Sequence, residues 1–399
     1  MDTNWLYLGI DVGTTGTKAA LFSASGQLVG HSYRGYPRYT PELGCSEQEP
    51  EDWWNAVCEA VRELCPDGET AGNVRALSMS TQGGTIVPVD REGKPLRKAV
   101  VWDDIRCEQE KAAYVREVAP AETVYEKTGW QLGNGLPLLV IRWLRDHEPD
   151  VFQKTDRYLS VHDYMTLRMT GKAAVDLSNA GINQLIDLKA EDYDRQLMEF
   201  AGVRREQLPD LVHSGEAIGT LTASAAEAMG LTTRCVVVAG AHDQYAVAAG
   251  AGANEPGSIL IGSGTCWVVT AIGEKPGFDT GLAQSIPVVR GQWGSLLSMS
   301  SGGVCLDWLR QQTGMPSYEE LNRETAQRRA AEEELFFIPF SGRSSELLIL
   351  KSAPRTMSTT TPFWNTPLLP TRLPKSTTLT FCLSALRWKF VESENIQRT

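Results

Sequence analysis

No stretch of the 399 residues approaches the roughly 18 consecutive apolar residues that a membrane-spanning helix requires. The opening Met1-Asp2-Thr3-Asn4 has no basic region ahead of an apolar run, so neither a membrane anchor nor export is expected. The eight cysteines (Cys45, Cys58, Cys65, Cys107, Cys235, Cys266, Cys305, Cys382) form no C-x-x-C pair, and the five histidines are dispersed. Zinc-site spacing is therefore lacking, and the thiols read as reduced side chains of a cytoplasmic protein. Positive charge is scarce as well. Lys and Arg number 38 against 49 Asp and Glu, a net charge of −11, and no basic stripe interleaved with aromatics is present. Nucleic acid is excluded as an expected partner on that ground.

Glycine is missing from one region only. All 36 glycines lie at or before Gly342, whereas Arg343 to Thr399 holds none, although about six would be expected at the preceding density. The same tail has no aspartate, ten threonines, five prolines, and eight basic residues against three acidic ones. So abrupt a shift marks 343–399 as aberrant rather than as a continuation of the preceding domain.

The remainder has the composition of a soluble globular enzyme, with 42% apolar and 22% charged residues. Its length exceeds what one core usually supports, which predicts two lobes with a crevice between them. Leu6 to Asp11 is a short apolar run stopped by Gly-Thr-Thr-Gly, and Thr17 to Phe22 resumes with strand formers, a hairpin pattern. Trp53, Trp54, Val57, Val61 and Leu64 recur at spacings of three and four, predicting a helix over Glu51 to Leu64, as does Leu138 to Leu144. Strand-like runs at Val74 to Ser80, Ala99 to Trp102, Cys235 to Ala239 and Ser258 to Ile261 alternate with helical segments, a mixed α/β pattern.

Five strings carry candidate chemistry. In Gly9-Ile10-Asp11-Val12-Gly13-Thr14-Thr15-Gly16-Thr17-Lys18 an acidic residue ends a strand beside a glycine turn. Backbone amides and the Thr14 and Thr15 hydroxyls there suit phosphate, Lys18 adds positive charge, and Asp11 suits a hydrated Mg2+; the alternative is an ordinary hairpin turn. Ala239-Gly240-Ala241-His242-Asp243-Gln244 follows an apolar run and precedes small residues, placing Asp243 at a strand-to-helix junction. It is there either as a proton acceptor for an attacking hydroxyl or as a helix cap. Gly262-Ser263-Gly264-Thr265 is a second turn able to present amides and a hydroxyl, or simply a hairpin. Gln82, in Ser80-Thr81-Gln82-Gly83-Gly84, and Asp104 and Arg106, in Trp102-Asp103-Asp104-Ile105-Arg106, each follow a strand-like run. They suit polyol hydroxyls, or else a local ion pair.

Together these strings resemble the FGGY family of carbohydrate kinases over roughly residues 5 to 342. The first is similar to the family's first phosphate motif, and Gly240-x-His242-Asp243-Gln244 is similar to the segment carrying its catalytic aspartate. Glu47-Gln48 ahead of Trp53-Trp54, Trp102-x-Asp104-x-Arg106, Tyr164 through Thr170-Gly171 and Asp176-x-Ser178 also look like family features. The resemblance implies an actin-like ATPase fold with two ribonuclease-H-like domains, ATP and Mg2+ as cofactors, and Asp243 as general base. It implies phosphate and metal contacts from Asp11, Gly13, Thr14, Thr15, Lys18, Gly264 and Thr265, with Asp11 on the metal. Sugar or polyol contacts fall to Gln82, Asp104, Arg106, Asp243 and Gln244. It further implies an N-terminal domain over 1–246, a partial C-terminal domain over 247–342, and a homodimer as a candidate assembly.

The chain departs from the family in two places. Gln82-Gly83-Gly84 lacks the Met-His that xylulokinases often have after this glutamine and the Arg-Glu of glycerol kinases, so the substrate stays open among sugars, polyols and sugar acids. After Phe336 to Gly342 the family's adenosine-holding segments do not follow, and the tail looks like a truncated or frameshifted reading of the gene. Two other functions remain in view: a kinase-like protein that binds sugar or nucleotide without turnover, and an actin-like or chaperone-like ATPase.

Overall fold

A computed structural model describes residues 4–263, 267–278 and 281–299 and, beyond these, residues 310, 314, 317–320, 323, 336–338 and 348–350. The chain divides into two units, one of Met1–Leu260 with Thr270–Leu297 and one of Ile261–Val269 with Ser298–Thr399.

The first unit is built on a six-stranded sheet. Its opening strands β1 (Leu6–Val12), β2 (Gly16–Ser23) and β3 (Leu28–Gly35) form an antiparallel meander, the hairpin that alternation around the Gly-Thr-Thr-Gly turn predicts. Helix α1 (Pro50–Leu64) follows, with proline in its first turn and Glu51 and Asp52 beside the positive end of its dipole. Trp53, Val57, Ala60 and Val61 are completely buried, a valine side chain so placed contributing on the order of 1.5–3 kcal/mol. The Trp53 ring meets Tyr164 edge-on at 6.1 Å.

Strand β4 (Val74–Thr81) then pairs parallel with β1. Helices α2 (Val161–Thr170) and α3 (Leu177–Ile182) precede the edge strand β5 (Ala217–Thr220) and helix α4 (Ala223–Met229). Strand β6 (Val236–His242), parallel to β4, leads directly into α5 (Asp243–Gly250). The order is β5-β6-β4-β1-β2-β3. Leu8, Ile10, Val12, Leu21, Leu77, Met79 and Val237 alternate onto one face and share a core cluster with α1, α2 and α4.

A second, antiparallel sheet joins Glu47–Gln48, Ala99–Val100, Ile86–Val89 and Arg157–Ser160. The strand expected over Ala99 to Trp102 is shorter than its apolar run, because Asp104 N–H donates to the Val101 carbonyl at 2.9 Å and turns the chain. The helix predicted around Leu138 to Leu144 spans Pro137–His147, and the strand expected at Ser258 to Ile261 spans Ile259–Ser263. In the second unit, Phe336–Ile338 and Leu348–Leu350 pair antiparallel. Among the described residues no helix is long and apolar enough to cross a membrane.

Candidate functional site

Three parallel strands end at the same edge of the main sheet. Asp11 is in register with Ser80, and Ser80 with Ala241; Val12 is level with Thr81, and Thr81 with His242. The residues that leave these strands are therefore neighbours: Gln82, whose N–H donates to the Val12 carbonyl at 3.0 Å, and Asp243, the first residue of α5. Chemistry-bearing side chains commonly gather at such carboxyl ends.

Asp11 accepts the Ser80 hydroxyl at 3.0 Å and lies 3.9 Å from the Lys18 ammonium, which is 71% exposed. Burial lifts the Asp11 carboxyl above its ordinary range, Lys18 and Ser80 draw it back, and the charge of Asp243 adds to the rise. Asp11 and Asp243 are thus within electrostatic reach of one another. The adjoining turn is closed by Gly13 N–H to the Gly16 carbonyl at 3.1 Å. Tyr36 donates to the Gly13 carbonyl and Tyr33 to the Thr15 carbonyl, fixing the turn from one side. From the other side, the Thr14 hydroxyl donates to Gln82 Oε1 at 3.1 Å and accepts the Trp102 indole N–H at 3.2 Å. Thr15 is exposed.

Gln82 is 2% exposed and its amide is fully engaged. Its Nε2 donates to the Gly13 carbonyl at 3.3 Å and to Gln48 Oε1 at 2.8 Å, and its Oε1 accepts the Thr14 and Thr85 hydroxyls. Asp104, 1% exposed, accepts Ser46 N–H at 2.6 Å and takes Arg106 through the backbone N–H, Nε and an Nη. Arg106 also donates to Glu47 at 2.9 Å and stacks 5.0 Å from the Trp143 ring. The structure thus realises the Asp104–Arg106 ion pair and extends it to Glu47, which Arg97 also meets. That cluster props up the loop bearing Trp102, a residue 46% exposed.

Asp243 keeps a third of its side chain open, at 32%, with His242 Nε2 3.4 Å from its Oδ1. The imidazole is buried between Trp130 and Tyr245, whose ring centroids are 6.0 and 5.9 Å away. Gln244 is half-buried on the first turn of α5. Gly83 packs on His242 and Gly84 on Trp102, which brings the β6 end and the Trp102 loop to either side of the same pair of glycines. Gly264 and Thr265 lie outside the described residues. Sequence reasoning missed His162 and Asn179, which meet the β6 and β4 ends from α2 and α3. Neither is singled out by its sequence neighbours, which mix polar and apolar residues: Asp163 and Thr166 around His162, Ser178 beside Asn179.

An antiparallel meander feeding parallel strands, with carboxylates at the strand ends, is the arrangement of an actin-like ATPase fold. The xylulose kinase of Rhodospirillum rubrum superposes with a TM-score of 0.81 at 25% identity, over 88% of this chain and 74% of that one. The family model described as the FGGY family of carbohydrate kinases, N-terminal domain, matches residues 6–250. The chain belongs to that family. It is 30% identical over 339 residues to the xylulose kinase of Escherichia coli K12, covering 84% of this chain and 69% of the relative. It is 27% identical over 345 residues to the gluconokinase of Bacillus subtilis 168, covering 84% of this chain and 67% of the relative. The chain thus spans about two thirds of the length of these relatives.

Proposed function

We propose that the chain transfers the γ-phosphoryl group of ATP to a hydroxyl of a sugar, polyol or sugar acid, with Asp243 as general base. The observation that carries this is the shared edge at which three parallel strands end in register, with Asp11 next to last on β1 and Gln82 and Asp243 the residues that leave β4 and β6. Phosphoryl transfer needs positioning, charge neutralisation and a proton acceptor. Asp243 stands on the first turn of α5 and is open enough to take the proton of an attacking hydroxyl. In this reading residues 1–246 are the sugar- and phosphate-binding domain and 247–342 part of a second domain. The acceptor sits between Asp243 and the Trp102 loop, with Gln82, Asp104, Arg106 and Gln244 shaping that end.

The phosphate end is formed by Gly13, Thr14, Thr15 and Lys18; the family resemblance adds Gly264 and Thr265, which lie outside the described residues. Asp11 fits a divalent ion: its carboxyl is lifted by burial and by a second carboxylate nearby, and Mg2+ takes one or two carboxylates together with phosphate oxygens and water. When bound, the ion neutralises triphosphate charge. A coupled ADP-release assay across pentuloses, polyols and sugar acids, with D-xylulose and gluconate first because relatives carry those names, tests the proposal. Sugar-dependent release supports it. Sugar binding without release favours the second reading, a kinase-like binder, for which the glycine-free composition of 343–399 is the supporting observation. ATP hydrolysis indifferent to every polyol favours an actin-like ATPase.

A further inference from the structure

The end of β6 does not continue as a regular strand. Val238 is in register with Ser78 and Ala241 with Ser80, so Ala239 and Gly240 together oppose Met79. This is a bulge, two residues against one. It brings the Gly240 backbone so close to β4 that a Cβ there would stand 1.6 Å from the Met79 carbonyl oxygen. A bulge leaves an amide without a partner in the ladder, and side chains take both the Gly240 amide of the bulge and the His242 amide at the end of β6. Gly240 N–H donates to His162 Nε2 at 3.1 Å, and His242 N–H donates to Ser178 Oγ at 2.8 Å.

Both acceptors are held in the orientation this requires. His162 Nδ1 lies 3.0 Å from the Ala174 carbonyl, so that nitrogen carries the ring proton and leaves a lone pair on Nε2 for Gly240. The Ser178 hydroxyl donates to Asp176 Oδ1, which also accepts the Ser178 and Asn179 amides at 3.0 and 3.1 Å; the hydroxyl's lone pairs are thereby turned toward His242. Asp176 Oδ2 accepts Asn179 Nδ2 at 2.6 Å, and Asn179 Oδ1 in turn accepts the Thr81 hydroxyl at the end of β4. His162, Asp176 and Ser178 are completely buried and Asn179 is 1% exposed. The ends of β4 and β6 are thus tied to one buried polar cluster, and Asp243 is the next residue along.

We propose that Ser178 and His162 are positioning residues for Asp243: by accepting the amide protons of Gly240 in the bulge and of His242 at the strand's last residue, they fix where β6 stops and where the carboxylate of α5 begins. The inference rests on the reading of Asp243 as general base, and neither side chain touches substrate. Buried amides need partners, and a misplacement of about 1 Å in a reacting group costs up to roughly 100-fold in rate.

The test uses the full 399-residue chain with Ser178→Ala, His162→Leu and His162→Gln, the last offering its carbonyl oxygen where Nε2 stood. Residue-resolved hydrogen exchange should show the 236–245 segment exchanging at least about tenfold faster in Ser178→Ala and His162→Leu, with β4 and α2 unchanged, and protection returning in His162→Gln. In the ADP-release assay kcat should fall about 10- to 100-fold in the first two variants while KM for sugar holds within about threefold, and recover in His162→Gln. Unchanged exchange at Gly240 and His242, or acceleration spread equally over β4 and α2, overturns the proposal. Absence of sugar-dependent release from the wild-type chain, or full turnover in Asp243→Asn, overturns the kinase reading instead, and the exchange data then decide the positioning role alone.

Discussion

A Cβ placed on Gly83 would stand 2.4 Å from Cδ2 and 2.9 Å from Nε2 of His242. The glycine backbone therefore lies flat against the imidazole that neighbours Asp243, and the only relief for a larger residue is to move that ring or the strand end. Gly83→Ala is expected to cost about 1–3 kcal/mol of stability through overpacking and to lower turnover more than tenfold. Gly68→Ala, where a Cβ meets nothing within 4 Å, should leave both unchanged. Thermal melts and initial rates on the pair check this; equal behaviour of the two variants would show that the contact does not constrain the site.

Asp243→Asn preserves shape and hydrogen bonding and removes the base. Turnover should fall by about 10²- to 10⁴-fold, roughly 3 to 5 kcal/mol of barrier, with sugar affinity by calorimetry held within about threefold. Near wild-type turnover would return Asp243 to a helix-terminus role.

Asp11 carries a carboxylate lifted by burial and by the Asp243 charge, which the exposed Lys18 ammonium and the Ser80 hydroxyl offset only in part. Removing that charge should stabilise the fold while harming function. Asp11→Asn, which keeps an acceptor for Ser80, is expected to raise Tm by about 1–3 °C near neutral pH and to weaken MgATP affinity at least tenfold. Loss of sugar affinity with MgATP binding intact would overturn the assignment of Asp11 to the phosphate end.

Burial pushes the Asp163 carboxyl up to about 7 from its ordinary 3.8; hydrogen bonds from Ser160 oppose the rise and the nearby Asp176 charge adds to it. Because the folded value is raised, folding favours the protonated form. That contribution is complete below the unfolded value of 3.8 and is lost as pH climbs through about 7. The Tm of the wild-type chain should therefore decline by a few degrees between about pH 5 and pH 8 relative to Asp163→Asn, whose amide oxygen still accepts Ser160 N–H. A difference in Tm between the two proteins that stays constant across that range would contradict the raised value.

The hairpin of β1 and β2, the buried face of α1 and the junction of β6 with α5 were all legible in the sequence. Each depends on local alternation, on three- and four-residue spacing or on turn residues. The ion pair of Asp104 with Arg106 was one of two open readings, and the structure adds to it Glu47, brought beside Arg106 by the second sheet. The bulge at Ala239 and Gly240 had no local signal, because a run of valines followed by small residues reads as plain strand. Nor could His162 be read from its neighbours. Its partner amide is 78 residues away along the chain, and only tertiary packing makes a buried histidine an acceptor for a particular strand end.

Trp102 is nearly half exposed and its indole N–H is 3.2 Å from the Thr14 hydroxyl, at the turn proposed to meet phosphate. Indole emission depends on the polarity and hydrogen bonding around the ring, so the protein carries its own optical probe at the point where donor and acceptor would meet. A rapid-mixing fluorescence trace, with Trp102→Phe subtracting the background of the other tryptophans, times ligand arrival at that turn without any attached dye. The same trace orders the two substrates by which of them first changes the light.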